Sequence, residues 1–363
     1  MNATQRLQTL GQSIWLDNIA RGLLTGGTLT GYIRNLSVTG LTSNPTIFEH
    51  AVADTNFYDD AIREKARAGT SGESLFFELA LEDLTRAADL FRPTHDATGG
   101  TDGWVSLEVS PLLADDARAT IDAAAQLHER AGRPNLYIKI PGTPAGLAAI
   151  EETIFAGIPV NVTLLFSREQ YVAAAAAYLQ GVERRIAAGR DPNVASVASL
   201  FISRWDVAVQ SQVPAPLHNR LGIAIAGRTY VAHREFLATP RWQRAAAAGA
   251  APQRLLWAST GTKDPAARDV LYVEALAAPE TINTMPEKTL LAFADHGSPG
   301  TAMALDGGDA EAVLAEFARQ GIDDRTLAAT LQREGAAAFS ASWHGLLSRI
   351  TAKSAELTAA RPS

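Results

Sequence analysis

Leu136-Tyr-Ile-Lys-Ile-Pro141 is an apolar, β-branched run with a single charge, Lys139, inside it. Apolar or aromatic residues flank the lysine on both sides and a proline ends the run. That is the pattern of a short strand in an all-parallel sheet with both faces covered. An ammonium in such a strand is costly unless it is paired or gives up its proton. The position is a strand end that reaches solvent, a structural ion pair, or a chemical site. The Pro-Gly-Thr-Pro turn at 141–144 favours the last. A lysine desolvated in an apolar pocket keeps a nucleophilic amine near neutral pH and can form a Schiff base with a ketone.

On either side of this strand, segments of strand character alternate with segments of helical period along the chain. The strand candidates are Ile14–Asn18, Val38–Asn44, Trp104–Val109, Leu136–Ile140, Val160–Leu164, Val194–Leu200, Leu255–Ser259 and Thr281–Met285. Eight βα units are what a closed (β/α)8 TIM barrel needs, and such barrels commonly form one domain at this size. The expectation is a single α/β barrel domain over residues 1–363, with a C-terminal helical extension over about 306–363. A doubly wound open sheet is the alternative. It would be favoured by a glycine-rich nucleotide loop, yet neither G-x-G-x-x-G nor a Walker A pattern occurs.

Thr46 begins a pair of predicted helices broken at Gly69–Gly72. Asp115–Arg130 has an acidic start and a basic end, as the helix dipole prefers. Ser167–Arg185 opens on a Ser-x-x-Gln capping box. Trp205–Gly249 is long enough for two helices divided at Pro240, and Asp306–Gly308 reads as a loop. The tail from Asp323 to Leu357 sets Phe339, Trp343, Leu346, Leu347 and Ile350 on one helical face, expected to dock on the barrel exterior rather than on a partner, with coverage of the site mouth left open.

Composition narrows the chemistry. With 20% charged residues and a net charge of −7, there is no basic surface for nucleic acid, so any phosphate site must be a local cluster of cations. The absence of cysteine excludes disulfides, thiolate metal sites and cysteine nucleophiles together and fits a cytoplasmic protein. Met1–Leu10 lacks the order of a signal peptide, and the longest apolar run, Tyr171–Leu179, is too short to span a bilayer. A soluble protein with no membrane partner is expected.

In a barrel of this kind the active site lies at the C-terminal ends of the strands. Those ends carry Asp17, Thr42 with Asn44, Glu108, Lys139, Asn161 with Thr163, Ser199 and Ser259. None of the seven histidines falls in a strand candidate; each is expected on a helix surface or in a loop, which argues against a metal-dependent hydrolase. One lysine with two carboxylates suits imine chemistry instead. Each residue also has a plainer reading: Asp17 as a helix cap, Glu108 as an ion-pair partner, Ser199 and Thr163 as core hydroxyls, Asn44 as a turn residue, Arg204 as a surface ion pair. Their joint placement around one lysine favours chemistry.

The sequence resembles the transaldolases, the Schiff-base-forming transferases of the pentose phosphate pathway, almost end to end. The likeness is carried by Trp-Leu-Asp at 15–17, Gly-Leu-Thr-Ser-Asn-Pro-Thr at 40–46, Val-Ser-Leu-Glu-Val at 105–109 and Tyr-Ile-Lys-Ile-Pro at 137–141. It continues in Val-Asn-Val-Thr-Leu-Leu-Phe-Ser at 160–167, Ser-Val-Ala-Ser-Leu-Phe-Ile-Ser-Arg-Trp-Asp at 196–206 and Leu-Trp-Ala-Ser-Thr-Gly-Thr-Lys at 256–263.

The resemblance implies that Lys139 forms an imine with the C2 ketone of a donor such as sedoheptulose 7-phosphate or fructose 6-phosphate. It gives Asp17 the C4 hydroxyl proton, and Glu108 with Thr163 a catalytic water. Asn44, Asn161 and Ser199 match groups that grip the dihydroxyacetone hydroxyls, while Arg204 and Ser259 match the phosphate end. The acceptors implied are glyceraldehyde 3-phosphate and erythrose 4-phosphate, with no metal or organic cofactor. In the related fructose 6-phosphate aldolases a glutamine and a tyrosine stand where this chain has Glu108 and Phe201, which favours transfer over release of free dihydroxyacetone. Many transaldolases also carry an arginine two residues after the serine matching Ser259. Here that position is Gly261, and Lys263 is expected to take over part of the phosphate binding, as a point charge without arginine's bidentate fork.

Overall fold

The structure, a computed structural model, describes residues 1–53 and 55–359. Among these, eight parallel strands close on themselves: β1 Ser13–Asp17, β2 Val38–Thr42, β3 Trp104–Glu108, β4 Leu136–Pro141, β5 Val160–Leu165, β6 Ser196–Phe201, β7 Arg254–Ala258 and β8 Ile282–Met285. Each strand pairs with its sequence neighbours and β8 returns to β1, giving the (β/α)8 barrel that the alternation predicts. Strand ends move by one or two residues. β2 stops at Thr42 because Asn44 turns to cap the next helix, accepting from Ile47 N at 3.0 Å.

Helix α1, Ala3–Thr9, precedes the barrel; α2 Arg21–Thr25 and α3 Thr28–Asn35 join β1 to β2. Between β2 and β3 lie α4 Pro45–Ala53, α5 Asp59–Arg67 and α6 Gly72–Ala97, where the sequence predicts a pair. The extra break arises because Tyr58 is drawn into the core, where its hydroxyl donates to Asp83 at 2.8 Å and accepts from Arg21 N. Then follow α7 Ala117–Ala131, α8 Pro144–Ala156 and α9 Arg168–Ala187. Helix α9 starts on the predicted capping box, Ser167 and Gln170 each accepting from the other's amide at 3.2 Å. After β6 come α10 Ser203–Val209, α11 Leu221–Ala238 and α12 Pro240–Ala247, the last two divided at Pro240 as expected. Helix α13, Leu271–Ala275, precedes β8, and α14 Glu287–His296, α15 Ala310–Arg319 and α16 Asp324–Ala359 follow it. Residues 360–363 of the predicted extension lie outside the described residues. Among the described residues no helix is long and apolar enough to cross a membrane.

The lumen is plugged below its mouth by aromatic rings. Tyr137 stacks on Trp104 at 4.1 Å and reaches Trp15 across the barrel at 6.1 Å. Gly40 is required beside this plug, since a Cβ there would sit 2.6 Å from the Trp15 ring. Side chains two residues further along these strands stand above the plug and face the C-terminal opening. The floor also holds an exception to the histidine expectation: His233, on α11, is buried and bonded to Tyr171 Oη at 2.8 Å.

The tail packs on the barrel as expected, and the structure adds where, a point the sequence leaves open. Helix α16 lies across the C-terminal mouth. Its buried residues Ala328, Leu331, Gly335, Phe339, Trp343, Leu346 and Ile350 recur every three or four positions, and Leu347 is half-buried at the stripe's edge. Gln332 Nε2 donates at 3.0 Å to the carbonyls of both Gly142 and Leu164, just beyond or at the ends of β4 and β5. Further along, Trp343 packs edge-on against Phe76 at 4.9 Å, and Lys353 caps carbonyls of Val52 and Thr55. These anchors lie on both rims of the opening, so the helix spans it.

Candidate active site

Register brings the candidates together. Glu108, Lys139 and Asn161 are direct partners across β3, β4 and β5, and Asp17 is the partner of Thr42 across β1 and β2. Because Lys139 shares its strand face with Tyr137, its amine points into the lumen, where it is 5% exposed. Lys139 Nζ donates to the Ser43 carbonyl at 3.1 Å and lies 3.1 Å from Glu108 Oε2, an ionic contact outside hydrogen-bond angles. Asp17 Oδ1 accepts from Thr42 Oγ1 at 2.7 Å, and that hydroxyl is 2.6 Å from Thr284 Oγ1.

Burial pushes both carboxyls above the usual carboxylate range. For Asp17 the charges of Lys139 and Lys263 and the Thr42 hydrogen bond act against it. For Glu108 the cations Lys139 and Arg204 pull down, while the nearby Asp17 charge adds to the rise. Both oxygens of Glu108 and the hydroxyl of Thr163 are buried without a hydrogen-bond partner among the described residues. A buried polar atom without a hydrogen-bond partner calls for an explanation, and at the barrel mouth a bound water or substrate supplies one.

A cavity of about 120 Å³ opens above the lysine, lined by Asp17, Asn44, Lys139, Thr163, Ser199, Phe201, Arg204, Ser259 and Lys263 among the predicted residues. Glu108 and Asn161 stand behind it. Asn161 is fully buried, donating to Ser106 Oγ at 3.0 Å and accepting from Ser199 Oγ at 2.7 Å, so it meets the cavity through Ser199. Asn44, read plainly as a turn residue, caps the next helix while still lining the cavity.

At the far end stand two cations. The Arg204 guanidinium lies over the rings of Phe201 at 5.1 Å and Phe339 at 5.6 Å, and burial lowers its pKa against the pull of Glu108. Lys263 is exposed at the rim. Among the described residues neither has a carboxylate within ion-pair distance. Gly261 also lines the cavity, and a Cβ there would press to 3.3 Å from Pro286 Cγ, leaving little room for a larger side chain without movement of that ring. Ser259, hydroxyl 2.9 Å from that of Ser203, and Leu164 hold left-handed backbone at φ +56° and +58°. Such conformations cost non-glycine residues roughly 1–2 kcal/mol each and gather at functional sites.

Sequence reasoning missed Thr284, Pro286 and above all Phe339. Thr284 was reachable, since it lies one residue before the end of β8, at the C-terminal ends where the site was expected. Among the described residues no group of three or more histidine, aspartate or glutamate side chains converges as metal ligands.

The geometry has counterparts among known proteins. The family model for Transaldolase/Fructose-6-phosphate aldolase matches residues 14–350. Proteins named Transaldolase from Parafrankia sp. and from Thiobacillus denitrificans are 45% and 44% identical to this chain, over 95% and 96% of it and 96% and 100% of their own lengths. One from Neisseria gonorrhoeae is 42% identical over 96% of the chain and all of its own length. A match of this extent, on an eight-stranded barrel with a buried lysine at its mouth, makes the chain a member of the transaldolase/fructose-6-phosphate aldolase family of enzymes.

Proposed function

We propose that the chain is a transaldolase, moving a dihydroxyacetone unit from fructose 6-phosphate or sedoheptulose 7-phosphate to an aldose phosphate through an imine on Lys139. One observation carries this reading. The cavity has a buried amine at one end and, at the other, two cations without carboxylate partners among the described residues, which is the polarity of a ketose phosphate. We also read barrel and tail as one functional unit, since α16 supplies a wall of that cavity.

The chemistry follows from the placements. The Lys139 amine attacks the C2 carbonyl, and the C–O bond breaks as water leaves, giving the imine. Glu108, whose burial raises its affinity for a proton, takes and returns protons in this step through a water shared with Thr163. Asp17 removes the C4 hydroxyl proton; the C3–C4 bond then breaks and its electrons flow into the imine. The aldehyde product departs and an enamine remains on Lys139. Addition of that enamine to glyceraldehyde 3-phosphate or erythrose 4-phosphate and hydrolysis of the new imine complete transfer. Ser259, Arg204 and Lys263 hold phosphate, while Asn44 and Ser199, the latter oriented by Asn161, hold hydroxyls. The reaction belongs to the pentose phosphate pathway, and we assign the protein to the cytoplasm.

Fructose 6-phosphate supplied with and without erythrose 4-phosphate tests the reading. Glyceraldehyde 3-phosphate should form at a useful rate only with acceptor; rapid cleavage without it would replace transfer by simple aldolase activity.

A further inference from the structure

We propose that Phe339, carried across the mouth by α16, is the roof that keeps bulk water from the Lys139 intermediate and thereby sets the ratio of transfer to release. The inference rests on the imine reading above.

Phe339 is 5% exposed and lines the cavity. Its ring lies 5.9 Å from Lys139 Nζ and 5.6 Å from the Arg204 guanidinium, bridging the amine end and the cation end from the solvent side. The helix cannot easily lift. Gln332 is fastened to the Gly142 and Leu164 carbonyls, and Gly335 lets the backbone approach so closely that a Cβ there would lie 3.0 Å from Leu164 and 3.2 Å from Arg204 Nη1. The ring is therefore held over the amine by contacts to the strand ends themselves.

Its consequence concerns the enamine, which has two fates. In transfer, its carbon attacks an aldehyde and a C–C bond forms. In release, that carbon takes a proton, water adds across the resulting C=N bond, the C–N bond breaks, and dihydroxyacetone leaves the free amine of Lys139. An apolar ring limits water reaching the second route and faces the cationic iminium with its negative π-surface. It leaves the oxygens of Glu108 and Thr163, which make no hydrogen bond among the described residues, as the place where a chosen water sits.

The test measures free dihydroxyacetone released per transfer event in the wild type, Phe339→Ala, Phe339→Leu and Gln332→Met. The alanine variant should raise that ratio about tenfold while transfer itself falls less, because opening the roof exposes the intermediate without removing a reacting group. Leucine, which restores apolar bulk, should return the ratio most of the way. Gln332→Met, which frees the helix without touching the cavity, should shift it in the same direction by a smaller factor. A ratio unchanged in F339A and Q332M, or an equal loss of both rates, overturns the proposal. If F339A does not fold, Q332M alone decides. Borohydride adducts at Lys139 in every variant, with the ratio unmoved, would fault the roof and spare the imine; no adduct in the wild type would fault the imine.

Discussion

The floor and the mouth of the barrel each set a cation against a carboxylate, and they treat it in opposite ways. At the floor Asp102 accepts from Ser13 at 2.6 Å and Trp15 at 3.0 Å, and Arg254 donates to Ser13 at 2.7 Å and to the carbonyls of Thr101 at 2.9 Å and Thr281 at 3.2 Å. The oxygens of Asp102 and the guanidinium are all engaged. At the mouth, among the described residues, Glu108 meets Lys139 and accepts no hydrogen bond, the Thr163 hydroxyl has no hydrogen-bond partner, and Arg204 and Lys263 have no carboxylate at ion-pair distance. A saturated network fixes one structure; an unsaturated one keeps capacity for a substrate. Backbone strain does not separate the regions: Leu164, near the end of β5, and Ser259, just after β7, hold positive φ at the mouth, and Glu280 holds it at the floor.

Mutation separates the two regions. Breaking the mouth at Asp17→Ala should lower turnover about ten-thousandfold, the upper end for a lost proton-transfer group, while the thermal midpoint changes little. Imine formation should survive, so borohydride should trap intact ketose; unchanged turnover would remove Asp17 from the reaction. Breaking the floor at Asp102→Ala should do the reverse. Arg254 loses its anion and two donors lose their acceptor, for about 3–5 kcal/mol of stability by denaturant titration, with activity per folded molecule retained.

Proton linkage sharpens the contrast because its sign differs between the regions. Asp206, on α10 beside the mouth, is pushed up to about 6 by burial, against hydrogen bonds from Tyr272, Leu221 N and Gly222 N. Between its unfolded value near 3.8 and about 6 the folded state holds the extra proton, so stability from this group falls as pH rises. His233, near the floor, is lowered to about 4 by burial, with the charges of Arg254 and Arg234 adding to it. From about 6.5 down to about 4 the unfolded state takes the extra proton, so stability from this group is lost on acidification. Each shift corresponds to about 3 kcal/mol at most. Melting curves across pH 4–7 should show Asp206→Asn less destabilising, relative to wild type, at pH 7 than at pH 4, and His233→Gln less destabilising at pH 4 than at pH 7. Parallel curves would contradict both. The smallest effect is expected at the rim. Lys263→Ala should raise the donor KM about three- to tenfold, and less in high salt, since an exposed charge is screened.

Much of this was legible in the sequence. Buried parallel strands need apolar β-branched runs, so all eight were visible to within two residues, and the polar residues at their C-terminal ends stood out against those runs. Phe339 was not. A phenylalanine in an apolar stripe marks a buried face, and whether that face meets barrel wall or barrel mouth depends on packing distant in sequence. The Ser43 carbonyl that accepts the Lys139 hydrogen bond is a backbone group, invisible to residue type. No residue preference marks left-handed backbone at Leu164. His233 looked like a surface histidine because only its partner Tyr171, 62 positions away, makes burial tolerable.

The central claim, that the mouth's amine carries the sugar fragment, is tested most directly by borohydride reduction in the presence of fructose 6-phosphate, followed by peptide mass analysis. The account predicts a three-carbon or whole-sugar addition on the peptide holding Lys139, absent from Lys139→Ala. No adduct, or an equal adduct in that variant, would contradict it.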